Sequence, residues 1–455
     1  MTPMRTLILG AAGRDFHDYL MFFRGNPMFE VVAFTAAQIP YIERRRFPAE
    51  LAGEAHPDGI PIHLESELEV LIERERIDIV FLAYSDLDDL AVMHLAARVQ
   101  ACGAAFAMLG GKQTQLRSRL PVIAVTATRT GAGKSPLCQW LAARFARQGI
   151  RAGVLRHPMP YGDLLRQRVQ RFATMDDLAA ADCTVEEREE YTPYIEAGLV
   201  IHAGVDYAAI LAAAEAEAQL ILWDGGNNDV AFVRPDLLIT IADALRPGHE
   251  TSYYPAETNI RAADIVLINK VDEAQRTDVD AMRARIAEIN PRAAIMETSF
   301  SPAIQASRDA PAASLAGKRA LVIEDSPTIT HGGMASGAGL VAAQRAGSTQ
   351  LIEARLHAVG TIAATYRTYP HIGPVLPALG YSAQQREDLL ATIERCNADV
   401  IVDASPAGIE HLYNGAVPVL RVLYPFAQRR GPDLAQAIDA FLQRHGVRAD
   451  QPSGA

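Results

Sequence analysis

Val122-Ile123-Ala124-Val125-Thr126-Ala127-Thr128-Arg129-Thr130-Gly131-Ala132-Gly133-Lys134-Ser135 is the stretch whose reading decides the fold of this chain. Its opening is an unbroken apolar run, the pattern of a strand covered on both faces in a parallel sheet. A turn of small residues follows, and Gly133-Lys134-Ser135 then opens a segment predicted to be helical to about Gln148. Strand, glycine-containing loop and helix in that order aim successive backbone N–H groups at a phosphate, with the positive end of the helix dipole behind them. Lys134 is expected to reach the β- and γ-phosphates, and the Ser135 hydroxyl to ligate Mg²⁺. Nucleotide binding is therefore assigned to Thr128, Arg129, Thr130, Gly131, Ala132, Gly133, Lys134 and Ser135, with Thr128 standing where the usual loop has glycine.

Working outward, Leu220-Ile221-Leu222-Trp223-Asp224-Gly225-Gly226-Asn227-Asn228-Asp229 reads as an apolar strand ending in a carboxylate and two glycines. That arrangement suits a Mg²⁺-linked Asp224 with the γ-phosphate close to the backbone, while the polar residues after it also suit a plain turn. The strand beginning near Ala152 ends in Arg156-His157, two residues placed to clamp a phosphorylated acceptor. Ile265 to Ile268 runs into Asn269-Lys270-Val271-Asp272, which matches the N-K-x-D signature by which GTPases read guanine. The motif on its face favours GTP, but adenine-using loops also place an asparagine there, so the base stays open between GTP and ATP.

Strands alternating with helices predict an α/β chain of three units. These are a Rossmann-like N-terminal domain over 1–120, a central P-loop NTPase parallel-sheet domain over 121–315, and a smaller α/β C-terminal domain over 316–455. The first strand, Thr6 to Leu9, ends at Gly10-Ala11-Ala12-Gly13-Arg14-Asp15, which falls short of a dinucleotide fingerprint but puts Arg14 where an anion would bind. In the last unit Glu324-Asp325 leads into Thr328-Ile329-Thr330-His331 and a run of glycines, a second candidate anion loop. A strand is predicted around Ala354 to Val359, and an amphipathic helix over Asp433 to His445.

A net charge of −11 over 455 residues argues against a nucleic-acid binder, whose phosphate contacts need a basic face. The four cysteines lie far apart and read as reduced thiols, and the twelve histidines show no ligand spacing. No apolar run of spanning length and no signal core is seen, so the expected address is the cytoplasm, with no membrane partner.

The loop from Ala127 to Ser135 resembles that of dethiobiotin synthetase, which also carries threonine at its first position. Trp223 to Asp229, Arg246-Pro247-Gly248-His249-Glu250, and Glu324 to Met334 resemble cyclic 2,3-diphosphoglycerate synthetase, a likeness running from Met4 to the C-terminal helix. That resemblance implies ATP- and Mg²⁺-dependent closure of a phosphoanhydride within a small phosphorylated metabolite. Lys134, Arg156, His157 and Asp224 would then be catalytic, and Arg14, His157, Asn227, His249, Thr330 and His331 would hold substrate. Ser135 and Asp224 would bind the metal, and a homodimer is expected because such P-loop relatives commonly pair. Two rivals stand beside this reading: a regulatory or metallochaperone GTPase using Asn269-Lys270-Val271-Asp272, and a metabolite sensor that binds nucleotide without turnover.

Lys134→Ala is expected to abolish turnover and leave the fold intact, because it removes charge at the γ-phosphate and not core packing. Phosphate release and circular dichroism on the variant check both halves; wild-type rates would refute the role.

Overall fold

The apolar runs predicted as strands become the innermost strands of three sheets. The computed structural model describes residues 2–11, 13–36, 45–156, 162–304, 315–330, 332–379, 382–405, 408–409, 412–423 and 425–449. Val122–Ala127, buried along its whole length, lies near the middle of a nine-stranded sheet. From edge to edge the order is Gln170–Phe172, Val200–Ala203, Ala152–Arg156, Leu220–Asp224, Val122–Ala127, Leu237–Asp243, Ile265–Asn269, Ala294–Phe300 and Phe426–Arg430. The seven inner strands are mutually parallel and the two edge strands antiparallel. All the parallel strands therefore deliver their carboxyl ends to one side, where ligands of such sheets gather.

The N-terminal sheet runs Arg46–Phe47, Ile60–Leu64, Phe29–Ala36, Met4–Leu9, Ile79–Leu82, Ala105–Met108. Chain direction along the sheet reverses between Met4–Leu9 and Ile79–Leu82, so its crevice opens beside Gly10–Arg14 and Ala83–Asp86. The C-terminal sheet is built on Arg319–Glu324, flanked by Val400–Asp403 and Gln350–Leu351, with Val419–Leu423 and Ala303–Ile304 beyond. The strand expected around Ala354 is instead a single 3-10 turn, Ala354–Leu356, in a run too short and too mixed to pair.

Two elements of the last unit leave it. Strand Phe426–Arg430 adds antiparallel to Ala294–Phe300, and helix Leu434–Arg444 then lies against the phosphate-loop helix Lys134–Arg147. The pattern explains the return: Leu434, Ile438, Phe441 and Leu442 are spaced on one helical face, as are Leu137, Leu141 and Phe145 opposite, and all seven share one core. Asp433 caps the helix by accepting from the Gln436 N–H at 3.0 Å, and Asp439 pairs with Arg144 at 2.5 Å. The chain's end thus braces the helix that carries Lys134. Among the described residues no helix is long and apolar enough to cross a membrane.

Phe441 is 3% exposed, so Phe441→Ala should cost about 3–5 kcal/mol in urea unfolding. A loss under about 1 kcal/mol would contradict the packing of this helix on the central sheet.

Candidate active site

The phosphate loop is shaped from outside. Gly131 (φ 76°) and Gly133 (φ 113°) sit in the left-handed region, and a Cβ on Gly133 would come 2.2 Å from Asn269 Nδ2. Four side chains hold four successive or near-successive carbonyls: Asn228 Nδ2 donates to Thr128 (2.9 Å), Arg246 Nη2 to Thr130 (2.6 Å), Lys270 Nζ to Gly131 (2.7 Å) and Asn269 Nδ2 to Ala132 (2.8 Å). The Thr128 N–H is itself tied to the Ile241 carbonyl at 2.8 Å. Drawing the carbonyls outward turns the remaining N–H groups toward the space an anion would fill.

Asp224 is the electrostatic centre. It is fully buried at the end of its strand, beside the strand that feeds the loop. Lys134 Nζ donates to its Oδ1 at 2.9 Å and to the Gly225 carbonyl, while Arg156 Nη1 (2.5 Å) and Tyr194 Oη (2.6 Å) reach its Oδ2. Burial alone pushes this carboxyl up, but Arg156 and then Lys134 outweigh it and hold the group well below the ordinary range. Arg156 is buried too and pairs with Glu190. The same logic recurs at Asp243, where Lys270 (2.8 Å) and Arg246 (2.8 Å) override burial and lower the pKa.

Both outer units reach this loop. From the N-terminal unit, Asp86 accepts from Arg129 Nε at 2.6 Å, and Leu87–Asp88 pairs antiparallel with Tyr253–Tyr254 of the central unit. The Arg129 guanidinium lies 3.6 Å from the centre of the Tyr253 ring, an arrangement that stabilises the cation, and donates to His249 Nδ1 at 2.6 Å. That bond requires a neutral imidazole, in line with a His249 pKa lowered by burial and by Arg129. From the C-terminal unit, Thr328 comes within 3.5 Å of a Cβ built on Gly131, and Arg246 Nη1 donates to the Gly332 carbonyl at 3.4 Å. Asp325, raised by burial, also feels Glu190 across the gap.

The positions predicted from sequence fall into four groups. Lys134, Asp224, Arg156, Asn269, Lys270 and Arg129, with His249, are gathered around the loop, and Ser135 occupies the first turn of its helix. Arg14, Thr330 and Asp272 are engaged elsewhere. Arg14 is buried, donates to the Leu109 carbonyl (3.1 Å) and faces Asp18 at 3.5 Å. Thr330 Oγ1 donates to the Ser326 carbonyl (2.7 Å), closing its own short helix, and Asp272 is gripped by Arg429. Asn227 is exposed. His157 and His331 lie outside the described residues. Tyr194, Glu190 and Asp243 carry no local signal in the sequence, and Asn228, which the sequence offers as a turn residue, instead holds the Thr128 carbonyl.

Oxygen donors are what Mg²⁺ takes, and it keeps most of its waters and phosphate oxygens, so a hydroxyl at Ser135 and one carboxylate at Asp224 are a fitting protein share. Among the described residues there is no cluster of three or more His, Cys, Asp or Glu side chains of the kind a protein-only cage needs.

Residues 180–297 match the family described as cobW: CobW/HypB/UreG, nucleotide-binding domain. This span contains Asp224 and Asn269–Asp272 and begins after the phosphate loop. Over 439 residues the chain is 51% identical to "Arginine synthetase ArcE" of Thermococcus kodakarensis, covering 96% of this chain and 97% of that protein. It is 29% identical over 206 residues to tetraacyldisaccharide 4'-kinase of Anaeromyxobacter sp., covering 42% of this chain and 53% of that protein. Among solved structures it is similar to LpxK from Aquifex aeolicus in complex with ATP, at a TM-score of 0.39 and 12% identity, with 73% of this chain and 90% of that one covered.

Asp224→Asn keeps the shape and removes the charge that balances Arg156, and should cost about 3 kcal/mol at neutral pH. A carboxyl held low in the fold stabilises above its unfolded pKa and loses that contribution as pH falls. The gap between wild type and variant should therefore be flat from pH 8 to 5 and begin to narrow below about pH 4. Urea unfolding across that range checks it; a gap that widens on acidification would contradict the assignment.

Proposed function

This chain belongs to the family of arginine synthetase ArcE, and on that premise we propose that it joins nitrogen to a ureido carbon at the expense of ATP, yielding a guanidinium product. It is a P-loop, nucleotide-binding enzyme of the ligase type. The observation that carries this reading is the phosphate loop met by Asp86 of the N-terminal unit and by Thr328 of the C-terminal unit, within a chain alike to that relative over 96% of its length.

Arginine differs from its ureido counterpart, citrulline, in one carbonyl oxygen replaced by nitrogen. A ureido oxygen is a poor leaving group, so the replacement needs activation. In the proposed sequence the ureido oxygen attacks the γ-phosphorus and ADP leaves. Ammonia then adds to the carbon, inorganic phosphate departs with that oxygen, and a proton is lost to leave the guanidinium. Mg²⁺, held through Ser135 and Asp224, would neutralise charge on the phosphates. Lys134 leaves Asp224 Oδ1 to follow the γ-phosphoryl group, and Arg156 keeps the carboxylate ionised as it goes. Asp325 accepts from Thr328 Oγ1 at 2.6 Å, with Thr328 lying against Gly131, and with its pKa raised by burial it is suited to take the proton released when ammonia adds. Most of the acceleration then comes from holding three reactants together away from water.

Charge balance supports an amino-acid acceptor. Around the loop Lys134, Arg129, Arg156, Arg246 and Lys270 each face a carboxylate already. A zwitterion needs little surplus charge, whereas a bisphosphate needs several unpaired cations. Cyclisation of 2,3-diphosphoglycerate is the second reading, favoured by the resemblance carried by residues 223–229 and 324–334.

Purified protein given ATP, Mg²⁺ and ammonium, with either citrulline or 2,3-diphosphoglycerate, separates the two. Arginine formed one for one with phosphate is expected. A cyclic diphosphate signal in phosphorus NMR would transfer the function to the second reading, and phosphate release indifferent to both acceptors would defeat each.

A further inference from the structure

The motif Asn269-Lys270-Val271-Asp272 ends in the carboxylate that would read guanine, and the structure gives that carboxylate another partner. Arg429 Nε lies 2.9 Å from Asp272 Oδ1 and Nη2 lies 2.5 Å from Oδ2, a two-pronged guanidinium–carboxylate contact. Ser301 Oγ donates to Oδ2 as well, at 2.9 Å. Both oxygens are therefore occupied, and the carboxyl is held low first of all by Arg429.

The contact is built by a local irregularity. Where Phe426–Arg430 pairs with Ala294–Phe300, Glu297 faces Arg430 and Thr298 faces Gln428, so Arg429 is the extra residue of a bulge. Bulges re-aim a side chain, and this one directs Arg429 away from Glu297, the carboxylate served by Arg276 and Arg283, and onto Asp272. Asn269 is likewise committed, to Ala132 and to Thr298 Oγ1.

We propose that Arg429 is a nucleotide-specificity residue: its guanidinium takes the place that the donor edge of guanine would take on Asp272, and so restricts the site to ATP. Guanine recognition by a carboxylate uses two adjacent donors, N1–H and the exocyclic amine. A guanidinium presents the same two-donor edge, and Asp272 cannot serve both. Adenine has an acceptor at N1 and asks nothing of the carboxylate, so it loses nothing by the occupation. The inference rests on the reading that this loop faces the base of a nucleotide held at Lys134.

Binding of ATP and of GTP to the full chain, measured by calorimetry on wild type and variants, tests it. Wild type should bind ATP more tightly. Arg429→Ala should raise GTP affinity relative to ATP by about tenfold or more, since a site built to pair such donors discriminates strongly. Asp272→Ala alone should leave the ratio unmoved, and the double variant should lose the gain. Arg429 is half exposed, so folding should survive, and Arg429→Gln repeats the measurement if alanine unfolds the edge. A GTP-preferring wild type, or an unchanged ratio in both Arg429 variants with ATP binding retained, would overturn the proposal. Failure of wild type to bind either nucleotide would overturn the nucleotide reading of Lys134 itself.

Discussion

A carboxylate buried at the end of a parallel strand is tolerable only if cations and hydrogen-bond donors surround it. Asp224 meets that condition with Arg156, Lys134 and Tyr194, and the surrounding structure follows from it. Arg156 must itself be buried at the next strand's end, so Glu190 is needed from the helix Val185–Glu196. Lys134 must start the following helix, so the loop must turn through Gly131 and Gly133 with positive φ. The ammonium is the one member of this group whose partner can be exchanged cheaply, because a phosphate oxygen can replace a carboxylate oxygen.

A P-loop domain that only hydrolyses nucleotide has no need of two further sheets. Here the N-terminal crevice contributes Asp86 to a residue of the loop itself, and the C-terminal unit lays Thr328 against Gly131. Arg129 registers the first closure through a carboxylate, an aromatic face and a neutral imidazole at once. Under the proposed reaction, excluding water matters because an activated oxygen must wait for a nitrogen nucleophile instead of being hydrolysed. The final strand and helix return to the central sheet, so the segment that braces the loop helix also supplies Arg429.

What was legible in the sequence is what neighbours dictate. Strand, loop and helix over Val122–Ser135 are contiguous, and so are Asp224 with its glycines and Asn269 with Lys270; each motif carries its own geometry. The first strand, read over Thr6 to Leu9, and the helix ending at Arg444 were legible in their apolar pattern. What escaped was set by partners far along the chain. Asp272 reads as a guanine acceptor until Arg429, 157 positions away, is seen on it. Arg14 reads as an anion ligand until Asp18 and the Leu109 carbonyl are found beside it. The strand Phe426–Arg430 holds Gln428, Arg429 and Arg430 in a row and shows no buried alternation, because it is an edge strand with a bulge. The placement of the outer units was invisible for the same reason: single ion pairs leave no periodic trace.

The central claim is that ATP acts by turning an acceptor oxygen into a phosphate ester. The direct test uses citrulline carrying ¹⁸O in its ureido group, with ATP, Mg²⁺ and ammonium, and mass spectrometry of the inorganic phosphate. The account predicts one ¹⁸O atom in each phosphate released as arginine forms. Phosphate free of the label, with arginine still produced, would contradict it and separate nucleotide hydrolysis from the chemistry at the carbon.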